Sequence, residues 1–328
     1  MKKTFCLTIF LVFAVALAAS AQSLLGSLLG GSQETKKKIR VQFVEGDEDA
    51  ADEILLVRVR GVIQETDEDE TNPFKAGKDM IEKLKKDLEV ARKRKAIKAI
   101  LLEINSPGGE VTASDVIYHQ INKLREQTGK PVSALIGTMG AFGAYNVAWA
   151  ADRIMAHPTS LIGSIGVLMQ ALNVQQLADK VGLKAITLKS DKTPMKDVLS
   201  PFKELSEEEK TMLMHIINGV YDRFIDIVAA SRKLDREAVI KLADGGIYTA
   251  QKAKDNGLVD AIGYREEAME EACKLAKIET AALVKRVARK SFAEVWSELS
   301  SMNSDLPALL GKLQTTLKFG SAPTLMFR

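Results

Sequence analysis

The stretch Ile97–Ile104 constrains this chain more than any other. It is a nearly continuous apolar run, broken only by Lys98 and Glu103. A run of this length reads as a strand of a parallel sheet covered on both faces, because a half-solvated strand would alternate. It ends in Asn105-Ser106-Pro107-Gly108-Gly109, a turn signature. A helix is predicted over Ser114–Arg125 and a second strand over Val132–Ile136. This order of strand, helix and strand implies right-handed crossover units and an α/β fold.

The flanking sequence extends the scheme. Strands are expected at Ile54–Val59, Arg153–Ala156 and Ala185–Leu188, with one more at Ile39–Val44. Residues Lys78–Arg92 carry Ile81, Leu84, Leu88 and Ala91 on one helical stripe. The longest predicted helix is Glu207–Lys233, opened by a Ser206/Glu209 capping box, with Met212, Ile216, Val220, Phe224 and Ile227 facing inward. Helices follow near Arg236–Ala243, Ala250–Asn256 (stopped by Gly257) and Glu266–Lys277.

The N-terminus reads as an export signal. Lys2 and Lys3 precede an apolar run from Phe5 to Ala18, and Ala19-Ser20-Ala21 suits cleavage after Ala21. The alternative is an uncleaved anchor, lengthened by Leu24, Leu25, Leu28 and Leu29. The domain scheme is therefore residues 1–21 as signal or anchor, 22–53 as tether, 54–277 as the folded domain and 278–328 as a C-terminal extension. Thr66–Pro73 reads as an acidic loop, and the apolar residues scattered after Ser291 read as a docked terminal segment. Net charge is +3, of which Lys2 and Lys3 supply two, and aromatic residues are few; both argue against nucleic acid as a partner. Cys273 is the one cysteine left after signal removal and reads as a half-buried, inert thiol. With His119, His157 and His215 scattered, no metal or other cofactor is implied.

Three loops carry candidate chemistry. Ser106-Pro107-Gly108-Gly109 lies beyond the carboxyl end of a parallel strand, where ligands of α/β sheets bind. Glycines there can aim backbone N–H groups at a carbonyl oxygen, although a simple tight turn is the commoner use. Ile136–Val167 begins with Gly137, Gly140, Ala141, Gly143 and Ala144, small residues that admit close backbone approach at a strand–turn–helix junction. Within it, Gly163-Ser164-Ile165-Gly166 is a weak signal alone. Lys192 and Lys196 are candidate bases, a role that needs desolvation; a solvated loop lysine is the ordinary reading.

Four ordered stretches change those odds: KAILLEINSPGGEVTAS, GTMGAFGAYNVAWAADRIMAHPTSLIGSIGVLM, LKSDKTPMKDVLSPFKELSEEEK and LADGGIYTAQKAKDNGLVDAIGY. Together they resemble the SppA-type signal peptide peptidases, Ser–Lys serine peptidases of the ClpP/crotonase-like superfamily. The resemblance runs from Ile54 to Tyr264. It implies an α/β, ClpP/crotonase-like stacked-sheet core with βαβ units and helical C-terminal additions. It places Gly108 and Gly109 in the oxyanion loop, Lys196 as the general base and Ser164 as a lysine-orienting serine. It also implies a homo-oligomer, membrane proximity, and signal peptides or other apolar peptides as partners, in a bacterial exported setting, periplasmic or inner-membrane-associated.

One position departs from the pattern. The family's Ala-Ser-Gly-Gly-Tyr is here Ala141-Phe142-Gly143-Ala144-Tyr145, so Phe142 stands where the nucleophilic serine belongs. A benzyl group forms no acyl-enzyme. The expectation is a catalytically impaired relative that still binds peptides. The alternatives are a peptidase using another hydroxyl (Ser164, Thr138 or Ser160) with Lys196, and a non-catalytic scaffold in a periplasmic assembly.

Overall fold

The computed structural model describes residues 40–65 and 80–287. The signal segment, most of the tether, the Thr66–Pro73 loop and the tail after Ser291 lie outside these residues. Nine strands form one mixed sheet in the order β1-β9-β2-β3-β4-β5-β8, with β6 on β4 and β7 on β6. They are β1 (Val41–Gly46), β2 (Glu53–Arg60), β3 (Ile97–Ser106), β4 (Val132–Ala141), β5 (Arg153–Ala156), β6 (Leu161–Gly163), β7 (Ile247–Thr249), β8 (Ala261–Ile262) and β9 (Ala282–Arg286). The pairs among β2, β3, β4, β5 and β8 are parallel, as the buried apolar run requires; β1–β9 and β6–β7 are antiparallel.

The helices are α1 (Met80–Lys93), α2 (Val111–Thr128), α3 (Gly143–Ala148), α4 (Gln175–Lys180), α5 (Glu207–Arg232), α6 (Arg236–Leu242), α7 (Ala250–Asp255) and α8 (Arg265–Ala276). Alternate residues of β2 and β3 serve opposite faces. Ile54, Leu56, Ala99 and Leu101 pack with Ala268, Met269 and Ala272 of α8. Leu55, Val57, Ile100 and Leu102 are equally buried on the other face, where α1 packs on β2 and against α2. Each buried leucine, isoleucine, valine or methionine among them contributes about 1.5–3 kcal/mol by leaving water. The stripe Ile81, Leu84, Leu88 and Ala91 of α1 is buried as predicted.

β4 positions the site because it forks. Ser133–Ile136 pair with β5, whereas Met139–Ala141 pair with β6. On its other side the register to β3 jumps from Ile104↔Ile136 to Ser106↔Gly140. The bend requires a residue without a side chain, since a methyl group on Gly140 would come within 2.8 Å of Ile136 Cγ2. The strand thus leaves the main sheet and delivers residue 142 to the carboxyl end of β3.

The structure departs from the sequence reading in three places, at β9, at Ala185–Leu188 and on α5. β1 falls on the strand expected at Ile39–Val44, and β9, which the sequence reading did not expect, lies between β1 and β2 in the central sheet. The five-residue β9 is too short to announce itself by alternation. No strand forms at Ala185–Leu188, where Ile186 and Leu188 are 85% and 93% exposed and pair with no ladder. On α5 the buried apolar residues are Leu213, Phe224, Ile225 and Val228, while Ile216 is exposed. Burial is confined to two separated stretches of this long helix, around Leu213 and over Phe224–Val228, so the apolar residues between them are left partly uncovered. The Ser206/Glu209 capping box forms as expected. Cys273 is half-buried, and burial pushes its thiol pKa up. No helix among the described residues is long and apolar enough to cross a membrane.

Candidate functional site

β4 stops at Ala141 and α3 begins at Gly143, leaving Phe142 on the turn with φ 52° and ψ −123°. A positive φ at a bulky residue is an outlier, costing about 1–3 kcal/mol, and such strain gathers at functional sites. Neighbours hold it there. The Phe142 N–H donates to Gly163 O at 2.9 Å, and its carbonyl accepts from the Tyr145 and Asn146 amides at 3.0 and 3.1 Å. The ring is half-buried and meets the buried Phe224 ring edge-on, centroids 6.2 Å apart. Trp149 and Tyr145 continue this aromatic array.

The Gly108-Gly109 loop lies directly against the turn. A methyl group on Gly108 would come within 2.7 Å of Ala141 O and 2.9 Å of Phe142 Cβ. Gly109 is pressed on Ile63 as closely, and the Gly108 carbonyl and the Glu110 amide both bond the Ile63 backbone. The donor inventory separates the two glycines. The Gly108 amide donates to the buried Ser106 Oγ at 3.0 Å, whereas the Gly109 amide has no acceptor among the described residues. The Gly143 amide, on the residue after Phe142, also has none. A methyl group on Gly143 would sit 3.6 Å from the Gly109 nitrogen, so the two free donors are neighbours. Such a pair suits the oxygen of a bound carbonyl. Gly109 thus keeps a free amide, while the Gly108 amide is taken up by Ser106 and its missing side chain allows the close approach. Sequence reasoning named Gly143 and Ser106 only as loop residues, without the free amide of the first or the anchoring hydroxyl of the second, and missed Ile63; a serine two residues before Gly108 is a turn signal that points to the Ser106 anchor.

Phe142 and Ser164 line one cleft of about 490 Å³, with Pro107, Val167, Leu168, Tyr221 and Asp244. Ser164 also has positive φ, 50°, and its N–H donates to Gly246 O at 2.6 Å. Its hydroxyl has no partner among the described residues. The other candidate hydroxyls are placed differently. Ser160 is buried and donates to Ile136 O at 2.9 Å, a structural tie. Thr138 is exposed on β4, four residues before the turn, and is not among the cleft's lining residues.

Lys196 sits on a 3-10 turn, Pro194–Asp197, with an exposed side chain whose amine has no partner among the described residues. It does not line the cleft, and the chain does not bring it into contact with Ser164. Its neighbour Asp197 pairs instead with Lys189 at 2.6 Å and Lys203 at 3.1 Å, and the Lys189 hydrogen bond leads in holding that carboxyl below its usual range. Lys189 also donates to Pro194 O at 2.7 Å, so the turn presenting Lys196 is tied at both ends. Lys192 is exposed as well.

Comparison with known proteins bears on the family of the chain. The profile of peptidase family S49 matches residues 124–279. An Enterococcus faecium protein whose name assigns it to signal peptide peptidase SppA is 35% identical over 244 residues, 74% of this chain and 70% of that one. Protease 4 of Salmonella typhi is 33% identical over 82% of this chain, which spans 42% of that protein's length. The chloroplastic serine protease SPPA of Arabidopsis thaliana is 29% identical over 81% of this chain, which spans 37% of its length. The chain belongs to peptidase family S49, the serine peptidases of the SppA and Protease 4 type.

Proposed function

We propose that this chain binds apolar peptides, signal peptides among them, in the cleft beside Phe142 and that it no longer cleaves them by the family's route. One observation carries the reading: a phenyl ring occupies the strained turn beside the unpartnered Gly109 and Gly143 amides, where an attacking hydroxyl would have to stand. The carbonyl cradle is kept and the nucleophile is gone. Loss of a nucleophile lowers the rate by on the order of a millionfold in a well-studied serine protease.

A homo-oligomer belongs to the same proposal. Leu168, Leu172, Leu177, Val181, Ile186 and Leu188 are all more than 60% exposed on the segment that carries Lys196. Apolar exposure on this scale marks an interaction surface. Copies packed through this segment would also desolvate Lys196. Export and membrane proximity rest on the N-terminal apolar run.

A second reading has an observation of its own. Ser164 lines the same cleft with positive φ and an unpartnered hydroxyl, which suits a relocated nucleophile. A fluorophosphonate separates the two. The binding reading expects no labelled peptide from the wild type and labelling at residue 142 in Phe142→Ser. Wild-type labelling at Ser164, with peptide-ester hydrolysis abolished by Lys196→Ala, would overturn it.

A further inference from the structure

We infer that Asp244 makes this cleft select peptides in which a lysine or arginine lies beside apolar side chains. The inference rests on the peptide-binding reading and adds a ligand class to it. Among the described residues that line the cleft, Asp244 is the only one with a formal charge, and no basic residue lines it. The remaining walls, chiefly Phe142, Pro107, Val167 and Leu168, are apolar.

The carboxylate is fixed in place. Asp244 follows α6 on the turn into β7, and its Oδ1 accepts the Gly246 amide at 2.8 Å. That turn is laced to the residues that follow β6, with the Gly245 amide on Ile165 O at 3.1 Å and the Ser164 amide on Gly246 O at 2.6 Å. On its other side the Tyr221 hydroxyl donates to Ala243 O at 3.1 Å. The position of Asp244 relative to Phe142 and Ser164 is therefore set by backbone ties rather than by a free loop.

Its second oxygen, Oδ2, has no partner among the described residues, and no lysine or arginine among them forms an ion pair with it. Carboxylates elsewhere are matched: Asp222 and Asp226 by Arg236, Asp115 by Arg223, Asp197 by Lys189 and Lys203. Burial together with the Asp244 charge also pushes the Tyr248 phenol up, the response expected beside an uncompensated anion. A ligand lysine answers both features at once. Its methylene stem lies along apolar wall while its ammonium reaches the rim. An apolar run next to basic residues has this composition, as Lys2-Lys3 ahead of Phe5–Ala18 does in this chain itself.

The test uses capped Leu-Phe-Leu peptides carrying lysine, glutamine or glutamate at either end, titrated calorimetrically into the full chain. At low salt the lysine peptide should bind about two- to fivefold tighter than the glutamine peptide, and the glutamate peptide weaker by a similar factor. High salt should narrow the spread. Asp244→Asn keeps the Oδ1 acceptor of the turn and should abolish the discrimination, whereas Asp244→Glu should retain it and Asp244→Lys should invert it. Equal affinities for the lysine and glutamine peptides, or discrimination unchanged in Asp244→Asn, would overturn the inference and leave peptide binding standing. No binding by any peptide would overturn both.

Discussion

The turn at Phe142 and the turn at Lys196 are built in opposite ways. The first is made of glycines pressed on backbone, buried strand ends and backbone hydrogen bonds that leave the Gly109 and Gly143 amides free. The second rides on a segment whose large apolar residues face water and whose ties are exposed lysine–carboxylate pairs. The half of the site that would cradle a carbonyl is preorganised within one chain. The half that would move a proton is left for something else to complete. Catalysis needs its base desolvated and within hydrogen-bond reach, and a single chain supplies neither for Lys196. Peptide binding needs only the first half, which is why the binding reading survives the loss of the serine.

The largest effect expected from breaking this contrast is at glycines, one in each region. A methyl group on Gly109 would lie 1.9 Å from Ile63 O and 2.7 Å from Ile63 C and N, backbone atoms rather than a flexible side chain that could yield. Gly109→Ala should destabilise the fold by about 3 kcal/mol, the upper end for overpacking. Gly182 lies on the exposed segment with φ +73° and nothing within 4 Å of an added methyl group. Gly182→Ala should cost about 1 kcal/mol, for the left-handed backbone alone. Urea midpoints compare the two directly, and equal losses would remove the distinction between a rigid half and a loose one.

Next in size is acid sensitivity, which belongs to the rigid half. Glu103 sits on β3 with Arg58, Arg60 and Arg265 all donating to its carboxylate. Burial alone would raise its pKa, but the Arg265 and Arg58 hydrogen bonds prevail and lower it to about 2. The folded value is below the unfolded one, so the stabilisation is complete above about pH 4.5 and is lost as pH falls toward 2. Allowing for the solvent around Arg60, the loss is about 2 kcal/mol. Glu103→Gln should flatten the acid limb of a stability-against-pH curve. An acid limb identical to wild type would show that the arginines do not prefer the charged carboxyl. The exposed Lys189–Asp197–Lys203 pairs should respond to salt instead.

This contrast also explains what was legible in the chain. Apolar continuity at Ile97–Ile104, the stripe on α1 and the Ser206/Glu209 box are local signals, and each formed where it was expected. Gly108, Gly109 and Phe142 come together because motif order carries their proximity. What could not be read is set by contacts between distant segments. The assignment of the Gly108 amide to Ser106, leaving the Gly109 and Gly143 amides free, is a matter of backbone angles. β9 is recruited by β1 and β2 rather than by its own pattern. The residues Ala185–Leu188 have strand composition, yet no neighbouring strand is there to pair with, so composition alone misled.

The smallest effect on the fold, and the one that bears most on the site, is expected in the exposed segment. Ile186→Asp and Leu188→Asp remove apolar side chains that already face water, so each should change the urea midpoint of the isolated chain by no more than about 0.5 kcal/mol. If copies pack through this segment, the same substitutions bury a charge against an apolar partner and should reduce the assembled mass seen by light scattering. Phe142→Ser gives the comparison its chemical readout. With the serine restored, fluorophosphonate labelling should depend on assembly and fall when Leu188→Asp is added. Labelling of Phe142→Ser that is indifferent to Leu188→Asp would mean that the two halves meet within one chain, and the contrast between them would be a property of packing rather than of chemistry.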